Sequence, residues 1–249
     1  MLIASIALLR RGDLRVRRRD LPLLVFFGVF ALAGVQWSYY ESIQRLPIGV
    51  SLVIQYTGPL VMLAYARWRG LRVGGRLWLA GALTLSGSYL VVGAYDADVL
   101  SLNLAGIPFA VLSMLIFVMY FLLAERILAR YPVWTLLAYG FGSALIAWTI
   151  LRPLWLLPWD RVAEPANAAL LAGVVIVGTA VPFTLIFVSV SLIPAARTGL
   201  TSTAEPVVAA IAAWSLLGET LELPQLVGGA LVLVGIGVAQ SLRPRAGSI

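Results

Sequence analysis

The sequence has no cysteine and no histidine, and all eighteen of its basic residues are arginine, so lysine is missing as well. Those absences remove a disulfide framework, a Cys/His zinc site, a Ser/His/Asp triad and a Cys/His nucleophile, since each needs a residue type the chain does not contain. Charge is scarce too: 12% of the 249 residues are charged and 61% are apolar. A soluble domain carries roughly a quarter charged residues, so a soluble globular fold is excluded. No glycine-rich phosphate loop of the Walker type occurs, which leaves direct drive by ATP without support. The eighteen arginines against eleven acids leave a formal charge of +7. In a soluble protein that surplus would point to nucleic acid, but its placement here follows the connections between apolar runs.

A hydrocarbon core of about 30 Å needs roughly 20 apolar residues in a helix. Eight runs fit, at 21–43, 47–66, 77–95, 102–124, 132–151, 169–190, 194–217 and 225–241. They are too long for barrel strands, and backbone groups in lipid must bond within their own segment. The expected fold class is therefore all-α, a polytopic membrane helix bundle. Threading the chain through these spans puts Arg45, Arg152 and Arg161 on one side and the other fifteen arginines, Arg197 among them, on the opposite side. Arginine in short loops stays cytoplasmic, which orients the bundle with its C-terminus inside and removes nucleic acid as a partner. Arginine clusters such as RRGDLRVRRRD then read as topology signals at the lipid surface. Arginine without lysine suggests a GC-rich genome, hence a bacterial inner membrane.

The chain also resembles itself at an offset of 147 residues, which places Pro47 on Pro194, Pro59 on Pro206 and Gly81 on Gly228. Over residues 47–92 this ungapped register gives only seven identities in 46, but the hydropathy boundaries coincide as well. After the first copy comes RWRGLRVGGR with four arginines; after the second comes LLGETLELP with two glutamates. One motif meeting opposite loop charge predicts an inverted-topology repeat, 1–95 and 102–241. The same offset sends the counterpart of 102–124 to a point before Met1. The apolar run Met1–Leu9 then reads as the remaining half of a helix matching 132–151, giving eight full spans plus an N-terminal half-helix. Roughly forty to forty-five residues are expected upstream, a point that an in-frame apolar segment in the DNA before Met1 would decide.

Residues 201–240, TSTAEPVVAAIAAWSLLGETLELPQLVGGALVLVGIGVAQ, resemble the last two helices of EamA-type transporters of the drug/metabolite transporter superfamily. The elements carrying the resemblance are Pro206, the Leu-Gly-Glu ending at Glu219 through Gly218, and the Gln225-x-x-Gly228 helix. YYESIQRLPIGVSLVIQYTGPLVMLAYA, residues 39–66, resembles the same family's third and fourth helices, departing at Gly70, Leu71 and Arg72 where a Leu-Gly-Glu would stand. The resemblance covers residues 21–240. It implies a ten-helix transporter, five helices per inverted repeat, with both termini cytoplasmic. The present chain would lack the first helix, which in that family lines the pathway, and part of the second. The function implied is a secondary transporter, an exporter by preference, moving small organic metabolites or drugs by alternating access, with no cofactor, no metal and no enzymatic role. Its partners would be a small-molecule solute and the lipid bilayer. Two alternatives stand beside it. One is a non-transporting truncated bundle needing a partner. The other is an intramembrane transferase, against which the scattered single acids argue.

Glu205 is the one carboxylate near the middle of a span, where a charge costs about 2.5–3.5 kcal/mol, so it should face protein or water. Thr201 and Ser202 precede it on the same helical face and are expected to donate hydroxyl hydrogen bonds to it. Glu205 then reads either as a proton or cationic-substrate site, or as an acid steadying the helix break at Pro206. Pro59 and Pro206 each remove a backbone donor at matching places in the two repeats, which points to a midplane binding site. Gln36, Trp37, Gln55, Tyr56, Ser113, Tyr120 and Thr179 lie at comparable depth and complete the candidate pathway with Ser202 and Glu205. Gln36 and Gln55 are the most informative of these, because an amide in lipid must find a partner in the bundle. Trp37, Tyr39 and Tyr40 stand toward the outer interface, where an aromatic belt is the competing explanation. No arginine is expected inside a span, which disfavours a large anion. The glycines of the last span, Gly228, Gly229, Gly235 and Gly237, allow close helix approach, either within the chain or across a homodimer.

Overall fold

The computed structural model describes residues 14–95, 104–218 and 220–241. The run Met1–Leu9 and residues Asp96, Asp98 and Glu219 lie outside the described residues. The described residues form eight long helices, α1 Arg18–Ile43, α2 Ile48–Trp68, α3 Gly75–Val91, α4 Leu104–Leu128, α5 Val133–Leu151, α6 Pro165–Leu192, α7 Ala195–Leu217 and α8 Leu223–Ser241, with two short helical turns, Leu154–Leu156 and Trp159–Val162, between α5 and α6. Each expected apolar run falls on one of these helices. Seven of them are long and apolar enough to cross a membrane, all except α3. That helix was expected to run to residue 95 but ends at Val91 after 17 residues. Gly93 takes φ +68°, its N–H bonds the carbonyl of Leu90, and the N–H of Ala94 bonds that of Tyr89. This left-handed glycine closure satisfies the last carbonyls and stops the helix. Gly70, at φ +83°, ends α2 in the same way, with Leu71 bonding back to the Ala66 carbonyl.

Two compact units are present. The first contains Met1–Ala33 and Leu123–Leu192, so it takes the opening half of α1, the end of α4, and α5 and α6. Its core is aromatic: Phe27 and Phe187 are both fully buried and meet edge to face at 5.9 Å, while Phe141 meets Phe183 at 5.3 Å. Gly28 lies against the backbone of Gly140 and the Ser143 hydroxyl, so α1 and α5 touch almost backbone to backbone. At the start of α1 the Asp20 carboxylate accepts a 2.6 Å hydrogen bond from the Tyr131 hydroxyl and faces the Arg130 guanidinium at 3.6 Å. Helix α6 buries little of its apolar surface, with Leu170, Val177 and Leu185 all largely exposed. That composition suits lipid as the neighbouring phase.

The second unit contains Gly34–Leu122 and Ile193–Ile249, hence the rest of α1 and α4 with α2, α3, α7 and α8. Helices α3 and α8 pack along their length in opposite directions. Ala80 and Thr84 lie against Gly235, Gly87 against Gly228, and the Val91 carbonyl accepts from Gln225, so position rises on one helix as it falls on the other. At the crossing the glycines face each other. A Cβ on Gly87 would come 2.5 Å from the Gly228 carbonyl oxygen, and one on Gly228 would come 2.6 Å from that of Gly87. The glycines of the last span therefore have a partner inside the chain, Gly228 and Gly235 on α3; Gly237 has nothing within 4 Å. Arg197, counted above with the charged connections, is instead the third residue of α7 and is 2% exposed. The expectation that no arginine enters a helical span is corrected accordingly.

Candidate functional site

Helices α2 and α7 are each broken once. In α2 the first half, Ile48–Gln55, gives way at Tyr56 and Thr57 to a second half that starts at Gly58. In α7 the first half, Ala195–Ser202, gives way at Thr203 and Ala204 to a second half that starts at Glu205. The breaks have one geometry. Tyr56 has φ −74° and ψ −1°, Thr203 has φ −68° and ψ −3°, and the next residues, Thr57 and Ala204, share ψ −18°. Each helix is also entered through a proline, Pro47 with ψ 138° and Pro194 with ψ 143°. Proline second in each new half is the local cause: having no N–H, Pro59 cannot bond the Gln55 carbonyl, nor Pro206 that of Ser202. Thr57 and Thr203 each turn their hydroxyl back three residues at 2.6 Å, onto the carbonyls of Ile54 and Leu200.

The two breaks meet. The Tyr56 hydroxyl, on a side chain 3% exposed, donates to Glu205 Oε2 at 3.2 Å. A Cβ placed on Gly199 would reach Pro59 and Met62, so α7 is held closely against α2 at this level. Tyr39, from α1, lies within electrostatic reach of the Glu205 carboxylate and of Tyr56. Glu205 itself is exposed near the centre of α7. The residue before Tyr56, the buried Gln55, donates through its amide to the Ser113 hydroxyl of α4 at 3.1 Å. This is the partner that burial of an amide requires.

The remaining candidates are distributed differently. Thr201 and Ser202 do not donate to Glu205. Their hydroxyls bond the carbonyls of Arg197 and Thr198 four residues back, and Thr201 also accepts from the Gln240 amide at 2.7 Å. A hydroxyl in a helix has its own preceding carbonyl always in reach, and here that local acceptor prevails. Gln36 is half-buried on α1. Trp37, 42% exposed, meets Phe109 edge to face, and Arg45 covers the other part of that ring at 4.6 Å while pairing with Glu41 at 2.6 Å. Tyr120 is buried against Phe121. Thr179 belongs to the other unit, in a π-helical stretch of α6 where its hydroxyl bonds the Val174 carbonyl. Tyr39 is the residue that sequence reasoning left out of the site, because at the edge of a span it is indistinguishable from the belt residues beside it. Among the described residues no three carboxylates or other metal-ligating side chains stand together.

Taken together, the arrangement offers one carboxylate and two phenols beside two interrupted helices, polar groups set within apolar spans. Comparison with known proteins agrees with a transport role. An uncharacterised transporter of Archaeoglobus fulgidus is 29% identical over 222 residues, covering 89% of this chain and 76% of its own length. The threonine/homoserine exporter RhtA of Escherichia coli K12 is 29% identical over 233 residues, 91% of this chain and 74% of its own. A solved crystal structure matches the fold with a TM-score of 0.77 at 17% identity, covering 96% of this chain and 82% of that one. The pattern of the EamA-like transporter family matches residues 1–93 and 104–239. The chain is a multi-pass membrane protein and belongs to the EamA-like transporter family.

Proposed function

We propose that the protein is a secondary transporter of the inner membrane, with its C-terminus cytoplasmic, that exports small polar solutes by alternating access. The solute class is that of the relative named for threonine and homoserine export, small hydroxylated amino acids. In this reading residues 1–95 and 102–241 are inverted repeats, α3 completes the set of spans, and solute binds where α2 and α7 are broken. Tyr56 and Glu205 line that place, with Gln55, Ser113, Gln36 and Ser202 near it along the pathway.

The observation that carries the proposal is the pairing of α2 with α7. They break at positions 147 residues apart with nearly equal dihedral angles, and they meet at the breaks themselves. Support comes also from α3 and α8, which the same offset relates and which lie antiparallel, as inverted copies of one helix must. Helices α1 and α6 add a third pair, each holding a π-helical stretch, Phe27–Leu32 and Ile176–Ala180. Interrupted helices paired across a pseudo-two-fold are how secondary transporters place polar backbone at mid-membrane.

Two measurements test the reading. Because the chain lacks cysteine, single-cysteine variants need no background changes. Val73→Cys and Leu221→Cys should react with an impermeant maleimide from opposite sides of oriented vesicles; labelling from one side refutes the inverted repeat. Proteoliposomes loaded with L-threonine or L-homoserine should release them faster than protein-free vesicles and in a saturable way. Equal release from both kinds of vesicle refutes this solute class.

A further inference from the structure

We propose that the Glu205 carboxylate and the Tyr56 hydroxyl form a subsite for a primary ammonium group, one per chain, that selects solutes carrying such a group. The inference rests on the transport reading above and assigns the chemistry of its site. A carboxylate in the centre of an apolar span is expensive unless neutralised or solvated. Among the described residues no arginine pairs with Glu205; Arg45 pairs with Glu41 and Arg130 with Asp20, both elsewhere. Its hydrogen-bond donor is the Tyr56 hydroxyl, which uses one of about four acceptor positions on an ionised carboxylate. Among the described residues no other donor meets the exposed remainder of the carboxylate.

Half-helix Ala195–Ser202 ends at the break just before Glu205, and half-helix Ile48–Gln55 ends at the residue before Tyr56. A second half-helix starts at each break, at Glu205 and at Gly58, so the dipole ends offset and the acceptors are the side-chain oxygens themselves. The Tyr56 oxygen, having given its proton toward Glu205, retains lone pairs for an N–H donor, and Tyr39 supplies a second phenol within electrostatic reach. A primary ammonium, with three donors and one positive charge, fits this set of acceptors. A carboxylate or phosphate does not.

The internal repeat fixes the number of such subsites. The position equivalent to Glu205 in the first copy is Gly58, and that equivalent to Tyr56 is Thr203 in the second. A Cβ on Gly58 would already lie 3.0 Å from the Phe117 ring and 3.5 Å from Val118, so no carboxylate can occupy that side. The anionic element is therefore present on α7 alone, and a bound solute is oriented with its ammonium toward the α7 break.

The test uses three probes of nearly one size: L-homoserine, L-homoserine lactone, which keeps the ammonium and loses the carboxylate, and 4-hydroxybutyrate, which loses the ammonium. Binding to the purified full chain is read by ligand-induced thermal stabilisation, independently of transport. The two amines should stabilise the wild type and 4-hydroxybutyrate should not. Glu205→Gln, which keeps size and hydrogen bonding, should weaken both amines about tenfold to a hundredfold, the usual worth of a charge-assisted hydrogen bond. Tyr56→Phe retains the charge and should weaken them about threefold to tenfold, which serves if the glutamine variant does not fold. Equal stabilisation by 4-hydroxybutyrate, amines bound as well by Glu205→Gln as by wild type, or no response to either amine at millimolar concentration each overturns the subsite. Release of homoserine from proteoliposomes that is unchanged by Glu205→Gln overturns the subsite and leaves the transport reading standing. Amine binding without release has the reverse meaning.

Discussion

The packing of α3 on α8 makes a quantitative prediction at Gly228. A methyl there would lie 2.6 Å from the Gly87 carbonyl oxygen, 2.7 Å from Leu90 Cβ and 2.9 Å from the Val91 nitrogen. Two of these atoms belong to the backbone and cannot rotate away. An ordinary contact is about 3.5 Å, so the helices must part by roughly 0.9 Å, loosening every layer between Ala80 and Val91. Overpacking of this kind costs about 1–3 kcal/mol, less the few tenths to 1 kcal/mol that alanine gains over glycine in a helix. For a chain of this length Gly228→Ala should lower the melting temperature in detergent by about 2–10 °C. Two further substitutions calibrate the effect. Gly237→Ala meets nothing within 4 Å and should leave the melting temperature unchanged or raise it. Gly199→Ala would meet the flexible end of Met62, which can swing aside, and should fall between the two. If Gly228→Ala melts with Gly237→Ala, the close glycine crossing is refuted.

Three other outcomes rest on particular contacts. Gln55→Leu and Ser113→Ala should each cost about 1 kcal/mol in detergent-unfolding measurements, and the double variant should cost less than their sum, because one hydrogen bond is lost in both. Additive losses would mean that the pair is not bonded. Arg45→Ala, in an ion pair whose side chains are 33% and 26% exposed, should change stability by less than about 1 kcal/mol; a larger loss would mean that the stacking of Arg45 on Phe109 dominates. Gly93→Ala should destabilise by about 1 kcal/mol, although nothing lies within 4 Å of its new methyl, because φ of +68° disfavours a Cβ. Insensitivity there to melting assays would show that α3 ends in another way.

Seven of the eight expected spans were legible from the sequence as helices long and apolar enough to cross a membrane, because a backbone in lipid has a single solution, the helix, and hydropathy marks where lipid is. All eight expected runs coincide with helices, to within a few residues at each end. The breaks were legible for a comparable reason: proline lacks a donor wherever it stands, so Pro59 and Pro206 alter the helix irrespective of their neighbours. The end of α3 falls four residues short of the apolar run because glycine at position 93 can either continue a helix or close it, and hydropathy does not record which φ it takes.

Which side chains meet was another matter, and only the tertiary structure decided it. Thr201 and Ser202 share the helical face of Glu205, yet their hydroxyls stay with their own helix, and the donor to Glu205 comes from Tyr56, 149 residues earlier in the chain. Gln55 was known to need a partner, but Ser113 could not be singled out from the other polar residues of α4. Tyr39, one of three aromatic residues at a span edge, comes within electrostatic reach of the carboxylate while Tyr40 is half exposed. A sequence records which groups must be satisfied, since desolvation depends on the group alone. It does not record by whom, because that depends on the rotation and crossing of helices that are distant in the chain.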